Sequence, residues 1–233
     1  MPIFLSSQSW PLPVALAVTI AVGALTGCLS GYLVAGRRIA SFIATLAMMT
    51  IARGLSYMIS KGAPVSTNNS ILTDYIGNGF MFGIPIPAIL MIIVFAFTVF
   101  LLRFTVAGRM ITAIGSNEAA VTYSGVRTAP YKLLVFTISG AFAALAGIIS
   151  TARTGVGSPL VGIGIELDAI AAVVVGGASL SGGRGTALNT LIGVLIIGMI
   201  GNIMNLLDVP AYPQQVIKGI IIIIAVMLQG VRR

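Results

Sequence analysis

Apolar runs of about twenty residues recur along the whole length of this chain, each able to cross the roughly 30 Å hydrocarbon core of a bilayer as a helix. Few folds can absorb such runs. A water-soluble domain needs a polar surface, yet only 8% of the 233 residues are charged, 58% are hydrophobic, and the mean hydropathy is +1.08. The pattern predicts an all-α, polytopic transmembrane helix bundle forming a single domain over residues 1–233. Seven spans are predicted: Leu12 to Leu33, Ile39 to Ser60, Ile84 to Leu102, Tyr131 to Thr151, Leu167 to Gly183, Thr186 to Leu207 and Val216 to Gln229. The fifth reaches only about 26 Å as a helix, and Gly176 and Gly177 interrupt it, so a broken or re-entrant form stays open there.

The net charge of +8 does not point to nucleic acid, because the thirteen basic residues are scattered between apolar runs rather than gathered in a stripe. Their distribution orients the chain. With the N-terminus outside, the inner side receives Arg37, Arg38, Arg103, Arg109, Arg127, Lys132, Arg184, Arg232 and Arg233, and the outer side only Lys61 and Arg153. Nine against two is a positive-inside bias, and it requires the fifth segment to cross. Arg53 and Lys218 fall inside spans, toward their outer ends. Met1 to Trp10 carries no positive charge, unlike a conventional signal peptide.

Several kinds of chemistry lack their residues. Histidine is absent and Cys28, within an apolar run, is the sole cysteine, so zinc clusters, haem ligation, disulfides and His-based catalysis are not expected, and neither is any cofactor. A secondary transporter usually carries ionisable residues near the bilayer midplane. None of the five acids, Asp74, Glu118, Glu166, Asp168 and Asp208, is predicted there. An intramembrane enzyme would need a converging nucleophile and base, and no catalytic residue is assigned.

Small residues mark two predicted packing faces: Gly23, Gly27 and Gly31 in the first span, and Ala143, Gly147 and Thr151 in the fourth. In the sixth span Asn189, Gly193, Gly201 and Asn205 recur at multiples of four, with Gly198 and Asn202 beside them. That stripe reads either as interhelical packing or as the polar wall of a translocation pathway. Arg53, Glu166, Asp168, Asn189, Asn202 and Asn205 are therefore candidate pathway residues. Glu166 and Asp168, where the chain enters the fifth span from outside, could instead cap that helix; as pathway groups they lie within reach of Arg53, Arg153 or Lys218.

Two short motifs mislead. Asn68-Asn69-Ser70 matches a glycosylation acceptor that is frequent by chance. Leu180-Ser181-Gly182-Gly183-Arg184 looks like an ATPase signature, but the phosphate-binding loop it would accompany is missing. The nearest stretch, Gly177 through Gly182, is followed by Gly183 and Arg184 instead of Lys and Ser or Thr, so nucleotide energy must come from a partner. More informative is the inner loop over residues 103–130. There Asn117 can cap a helix, Glu118 favours its positive end and Gly125 stops it about two turns later. The short helix reads either as a solvated connector or, through Ala119, Ala120 and Tyr123, as a face that docks into a partner's groove.

The loop Ala113-Ile114-Gly115 to Asn117-Glu118-Ala119-Ala120 with Ser124-Gly125, followed by Glu166-Leu167-Asp168-Ala169-Ile170-Ala171-Ala172-Val173-Val174 and Gly176-Gly177 with Leu180 to Gly185, resembles the permeases of ribose, xylose and galactose-type ABC importers. The resemblance runs from about Gly23 to Gln229. It implies a permease moving a monosaccharide such as ribose across a bacterial inner membrane, without an ATPase site of its own. Another small solute, a branched-chain amino acid or a nucleoside, is the alternative, and a secondary transporter a weaker one. The implied partners are an ABC ATPase subunit, a periplasmic substrate-binding protein, a second permease subunit (homo- or heterodimer) and the lipid bilayer, with no nucleic acid. By the same resemblance Gly115, Asn117, Glu118, Ala119, Ala120 and Gly125 would couple the permease to its ATPase. Members of the family carry further spans and a Gly-Gly-Ile-Asp-Leu-Ser-Val-Gly-like segment before the region matching Leu12. Without them the chain is expected to insert but not to transport alone, and to leave the Gly23, Gly27 and Gly31 ridge exposed.

Overall fold

The computed structural model describes residues 11–67, 71–179 and 182–231. Asn68-Asn69-Ser70, Leu180, Ser181 and both chain ends (Met1, Arg232 and Arg233) lie outside the described residues. Nine α-helices are found among those described: α1 (Leu12–Arg37), α2 (Ser41–Ser60), α3 (Ile86–Phe104), α4 (Val106–Ser116), α5 (Glu118–Tyr123), α6 (Ala129–Thr154), α7 (Ile165–Val175), α8 (Ala187–Leu206) and α9 (Ala211–Val231). Two-residue strands make up the rest: β1 (Val65–Ser66) pairs antiparallel with β4 (Val156–Gly157), and β2 (Phe80–Met81) with β3 (Ile84–Pro85). A single π-helical turn covers Leu72–Gly77.

Five of these helices, α1, α2, α3, α6 and α8, are long and apolar enough to cross a membrane. No more than 17% of the residues in their apolar windows are buried inside the protein, so the apolar faces need lipid or partner helices as solvent. Several hydroxyls inside them are satisfied locally. Thr19 donates to the Ala15 carbonyl at 2.7 Å, Ser30 to Thr26 at 3.0 Å, Thr50 to Leu46 at 2.9 Å and Thr137 to Leu133 at 2.8 Å, which lets each side chain sit in hydrocarbon with its donor used. Helix ends follow local chemistry too. Arg38, at φ 55°, closes α1 with its amide donating to the Leu33 carbonyl, and Gly155, at φ 67°, closes α6 with its amide on Thr151.

Two helices differ from the sequence expectation. Where a span is predicted from Leu167 to Gly183, with a break at Gly176 and Gly177 left open, α7 has only eleven residues and ends at that break, about 16 Å, too short to cross the hydrocarbon core as one helix. Its end is set by glycines: Gly176 follows it and Gly177 sits at φ 82°, a left-handed position that other residues resist. The last helix, α9, begins earlier than the Val216 expected, at Ala211, and its described apolar part covers Ala211–Met227.

Inter-residue contacts divide the chain into two compact units, Met1–Val94 with Val126–Val161 and Phe95–Gly125 with Gly162–Arg233. The first is organised by α1 lying along α6. A Cβ on Gly23 would fall 2.6 Å from the Gly140 carbonyl oxygen, one on Gly27 would fall 3.1 Å from Gly140 Cα, and one on Gly31 would fall 3.1 Å from Leu133 Cα. From the other side, a Cβ on Gly140 would stand 2.9 Å from Gly27 Cα. The ridge expected to lie exposed is therefore packed within the chain, because α6 offers its own glycine where the backbones cross. At the second predicted face, Ala143, Gly147 and Thr151, the glycine is unpacked among the described residues: a Cβ on Gly147 would meet nothing within 4 Å.

In the second unit the short α7 packs against α8 and α9. Ala171, Ala172 and Ile197 are buried together, with Val175, Ile221 and Ile222 around them. Gly193 lets α8 approach closely, since a Cβ there would lie 2.8 Å from the Gly176 amide nitrogen. Alanine and glycine at this seam bring the α7 backbone nearer to α8 than leucines would allow.

Replacing Gly27 with Leu should force α1 off α6 and cost about 1–3 kcal/mol, read as a lower melting temperature of the purified protein in detergent. Gly54→Leu, at an α2 position where a Cβ meets nothing within 4 Å, should change stability by less than about 0.5 kcal/mol.

Candidate functional site

The inner loop folds into two consecutive helices, each capped by its own side chain. Thr105 Oγ1 accepts from the Gly108 amide at 3.0 Å to start α4. Asn117 Oδ1 accepts from the Ala120 amide at 3.0 Å to start α5, with Glu118 in the first turn at the positive end. After α5, Gly125 at φ 84° turns the chain away, as the sequence predicts for a stop there. Ala119, Ala120 and Tyr123 are exposed, Tyr123 to 90%. A tyrosine that exposed at the tip of a short helix offers a large contact area to whatever meets it.

Gly115 is placed by something the sequence alone does not reveal. A Cβ there would sit 2.6 Å from the Gly183 amide nitrogen, and one on Gly182 would sit 2.7 Å from the Gly115 carbonyl oxygen. Ser116 Oγ, which also donates to Thr112, approaches the Gly183 carbonyl at 3.4 Å. Gly182 and Gly183 are themselves left-handed, at φ 92° and 74°. Two segments 67 residues apart therefore meet backbone to backbone, and bare glycines on both sides permit it. The stretch dismissed as a chance ATPase signature is, in its described part, the surface on which the end of α4 rests. Glycines in both motifs were the available signal, but sequence spacing cannot pair them.

At the start of α7 the two acids have separate partners. Glu166 Oε2 accepts from the Gly164 amide at 3.1 Å and so serves the helix start. Asp168 Oδ2 accepts from Lys218 Nζ of α9 at 2.7 Å, with the lysine side chain 23% and the aspartate 33% exposed. The other oxygen, Asp168 Oδ1, is buried without a hydrogen-bond partner. Of the three basic residues within predicted reach, Lys218 makes this pair, whereas Arg53 and Arg153 belong to the other unit.

The polar stripe on α8 divides. Gly193 is buried against α7, and the Asn189 carbonyl carbon lies 2.9 Å from where a Gly176 Cβ would be. Asn205 Oδ1 accepts from Gln214 Nε2 at 2.9 Å, and the same amide donates to the Val209 carbonyl, tying α8 to the start of α9. Asn202 is exposed, and Cβ atoms at Gly198 and Gly201 would stand in open space. Arg53 lies half-buried on α2.

Residues 3–226 match the family described as branched-chain amino acid transport system / permease component. The chain belongs to this permease family. It is 44% identical over 220 residues to the ribose import permease protein of Haemophilus influenzae, covering 93% of this chain and 68% of that protein. Its identity to the ribose import permease protein of Bacillus subtilis is 46% over 203 residues, 85% of this chain and 62% of the relative. The L-arabinose ABC transporter permease protein of Azospirillum brasilense is 38% identical over 214 residues, 92% of this chain and 63% of its own length. The permease thus spans about two thirds of the length of these relatives. No solved structure matches it.

Membership explains the apolar helices as those of a multi-pass transport subunit of the bacterial inner (plasma) membrane, related to ribose-type importer permeases. Within the permease, the Asp168–Lys218 pair joins α7 to α9 in a partly dehydrated setting, where breaking a pair leaves a charge unmatched. Asp168→Asn and Lys218→Met should each lower stability by about 1–3 kcal/mol. The double variant should lose less than the sum, by about 0.5–3 kcal/mol, in a thermal-melting cycle. Strictly additive losses would show that the pair contributes nothing.

Proposed function

We propose that this permease is the membrane subunit of an ATP-dependent (ABC) importer that moves a monosaccharide such as ribose into the cytoplasm. The supporting observation is its 44% identity, across 93% of the chain, to a protein named for ribose import, with an arabinose permease also among the relatives. The family's own description names branched-chain amino acids, so that solute is the reading to test against. In this proposal an ATPase subunit binds on the inner side, a periplasmic substrate-binding protein delivers the sugar, and a second permease subunit, identical or not, completes the pathway.

The loop over residues 103–130 is the coupling element of the proposal. Its α5 carries the contact face at Ala119, Ala120 and Tyr123, while Asn117, Glu118 and Gly125 hold the helix ends. Gly115 would pass the ATPase stroke to Gly183 and so to the loop that follows α7, the helix bearing Glu166 and Asp168. The Asn189 main-chain carbonyl meets the other end of that loop at Gly176, and the side chains of Asn189, Asn202, Asn205 and Arg53 are the proposed pathway groups.

In vesicles holding the permease, the second permease subunit that completes its pathway, the ATPase and the binding protein, ATP-dependent uptake of D-ribose in preference to L-leucine is expected. The reverse preference would replace the sugar by an amino acid. Glu118→Lys and Gly115→Val should cut uptake about tenfold or more, a loss of about 1.4 kcal/mol in coupling, while ATP hydrolysis continues. Uptake at the native level in both variants would remove the loop from the coupling path.

The seven-span arrangement with the N-terminus outside and the C-terminus inside rests on the basic residues, and it requires the α7 segment with its following loop to cross. A reporter active only in the cytoplasm, fused after Arg233, should give signal, and the same reporter before Met1 should be silent. The opposite pattern would invert the orientation, and signal at both ends would mean an even number of crossings.

A further inference from the structure

Where α2 and α6 end, beside the β1–β4 ladder, the first unit holds a half-open cavity of about 230 Å³ that none of the roles above uses. Its walls carry hydroxyls from three directions. Ser56 and Ser60 stand one turn apart on α2, Ser150 and Thr151 come from α6 next to Gly147, and Ser158 follows β4. The ladder and Thr67, whose amide and hydroxyl both donate to the Gly155 carbonyl at 2.9 and 2.8 Å, hold these walls together. Ser60 Oγ is buried and has no hydrogen-bond partner. Ser158 Oγ accepts from the Leu160 amide at 3.2 Å, which leaves its own proton to donate.

We infer that this cavity is a low-affinity site for a neutral polyol, a monosaccharide in transit through the permease. The inference rests on the proposed transport of sugars and locates a station for that substrate on the chain. Each serine or threonine hydroxyl both donates and accepts, as each sugar hydroxyl does, so a ring of them matches a polyol in any of several orientations. Among the described residues, no ionisable side chain lines the cavity. An amino acid would bring an ammonium and a carboxylate with nothing to pair them, at a desolvation cost that a sugar does not meet. At about 230 Å³ the space lies below the roughly 300–1,000 Å³ of clefts for drug-sized ligands and suits a molecule of monosaccharide size. Neutral hydrogen bonds to exposed walls hold weakly, which permits onward release. In the proposed orientation the C-terminal ends of α2 and α6 face outward, the side from which a binding protein would deliver its load.

Gly147 makes the cavity testable. A Cβ there meets nothing within 4 Å, so a large side chain would grow into the space without striking backbone. In the vesicle assay, native permease that moves D-ribose establishes the sugar reading, and its failure to do so would sink that reading on its own. Given native uptake, Gly147→Phe should abolish most of it with the ATPase still bound, and native-level uptake by this variant overturns the site. A second measurement does not depend on that variant. In a Cys28→Ser background, Ser150→Cys is alkylated in the assembled importer with D-ribose or L-leucine present. D-ribose at about tens of millimolar should slow alkylation about threefold or more, as 1 + [L]/Kd requires of a millimolar-range site, and L-leucine should not. Equal protection by both, or by neither, overturns the assignment. So does a thiol that stays unreactive throughout, because another part of the assembly would then fill the space.

Discussion

A peptide group in hydrocarbon has no water to bond with, and every segment of this permease that enters the bilayer must satisfy its own amides and carbonyls. Helices do so without help, which is why the long apolar runs can be nothing else. Side-chain hydroxyls obey the same rule: Thr19, Ser30, Thr50 and Thr137 each return a proton to a carbonyl one turn back. Backbone that leaves the helical state must then be supported by protein or reach polar surroundings. The loop after α7 shows the first solution, with Gly182 and Gly183 lying on Gly115 and the Ser179 amide donating to the Arg184 carbonyl at 2.8 Å.

Glycine has two different uses here. Between α1 and α6, and between α7 and α8, it removes side chains so that helices meet where lipid supplies no hydrophobic drive and only close packing holds them. At Gly125, Gly177, Gly182 and Gly183 it supplies left-handed backbone, which ends helices and turns loops back. Gly147 serves neither purpose: it leaves room. A glycine in an apolar helix is therefore not by itself a packing signal, and the atoms opposite it decide which role it has.

Charge is used sparingly, and three of the acids lie in the first turns of helices. Glu166 supports the start of α7, Asp168 fastens that helix to Lys218 of α9, and Glu118 sits in the first turn of α5. Each acid thereby has a structural duty that a pathway role would have to share. No charged side chain among the described residues lines the hydroxyl-walled cavity, which suits a cargo that carries none.

Much of this protein was legible in its residues. The long helices, the caps at Asn117 and Gly125, and the membership carried by the inner-loop motif follow from hydropathy, local capping chemistry and a near-unbroken pattern, all of which act within a few turns of chain. Sequence reading also marked Gly23, Gly27 and Gly31 as a contact face but left it without a partner, and it drew a second face at Ala143, Gly147 and Thr151 where the structure has an opening. Only tertiary structure could pair Gly27 with Gly140, Gly115 with Gly183 and Asp168 with Lys218, whereas the break of the fifth span at Gly176 and Gly177 was already one of the forms its residues left open. The physical reason is range. Hydropathy and capping are set by neighbours along the chain, whereas a backbone-to-backbone approach depends on which distant residue happens to lack a side chain at the crossing point, and no local pattern carries that information.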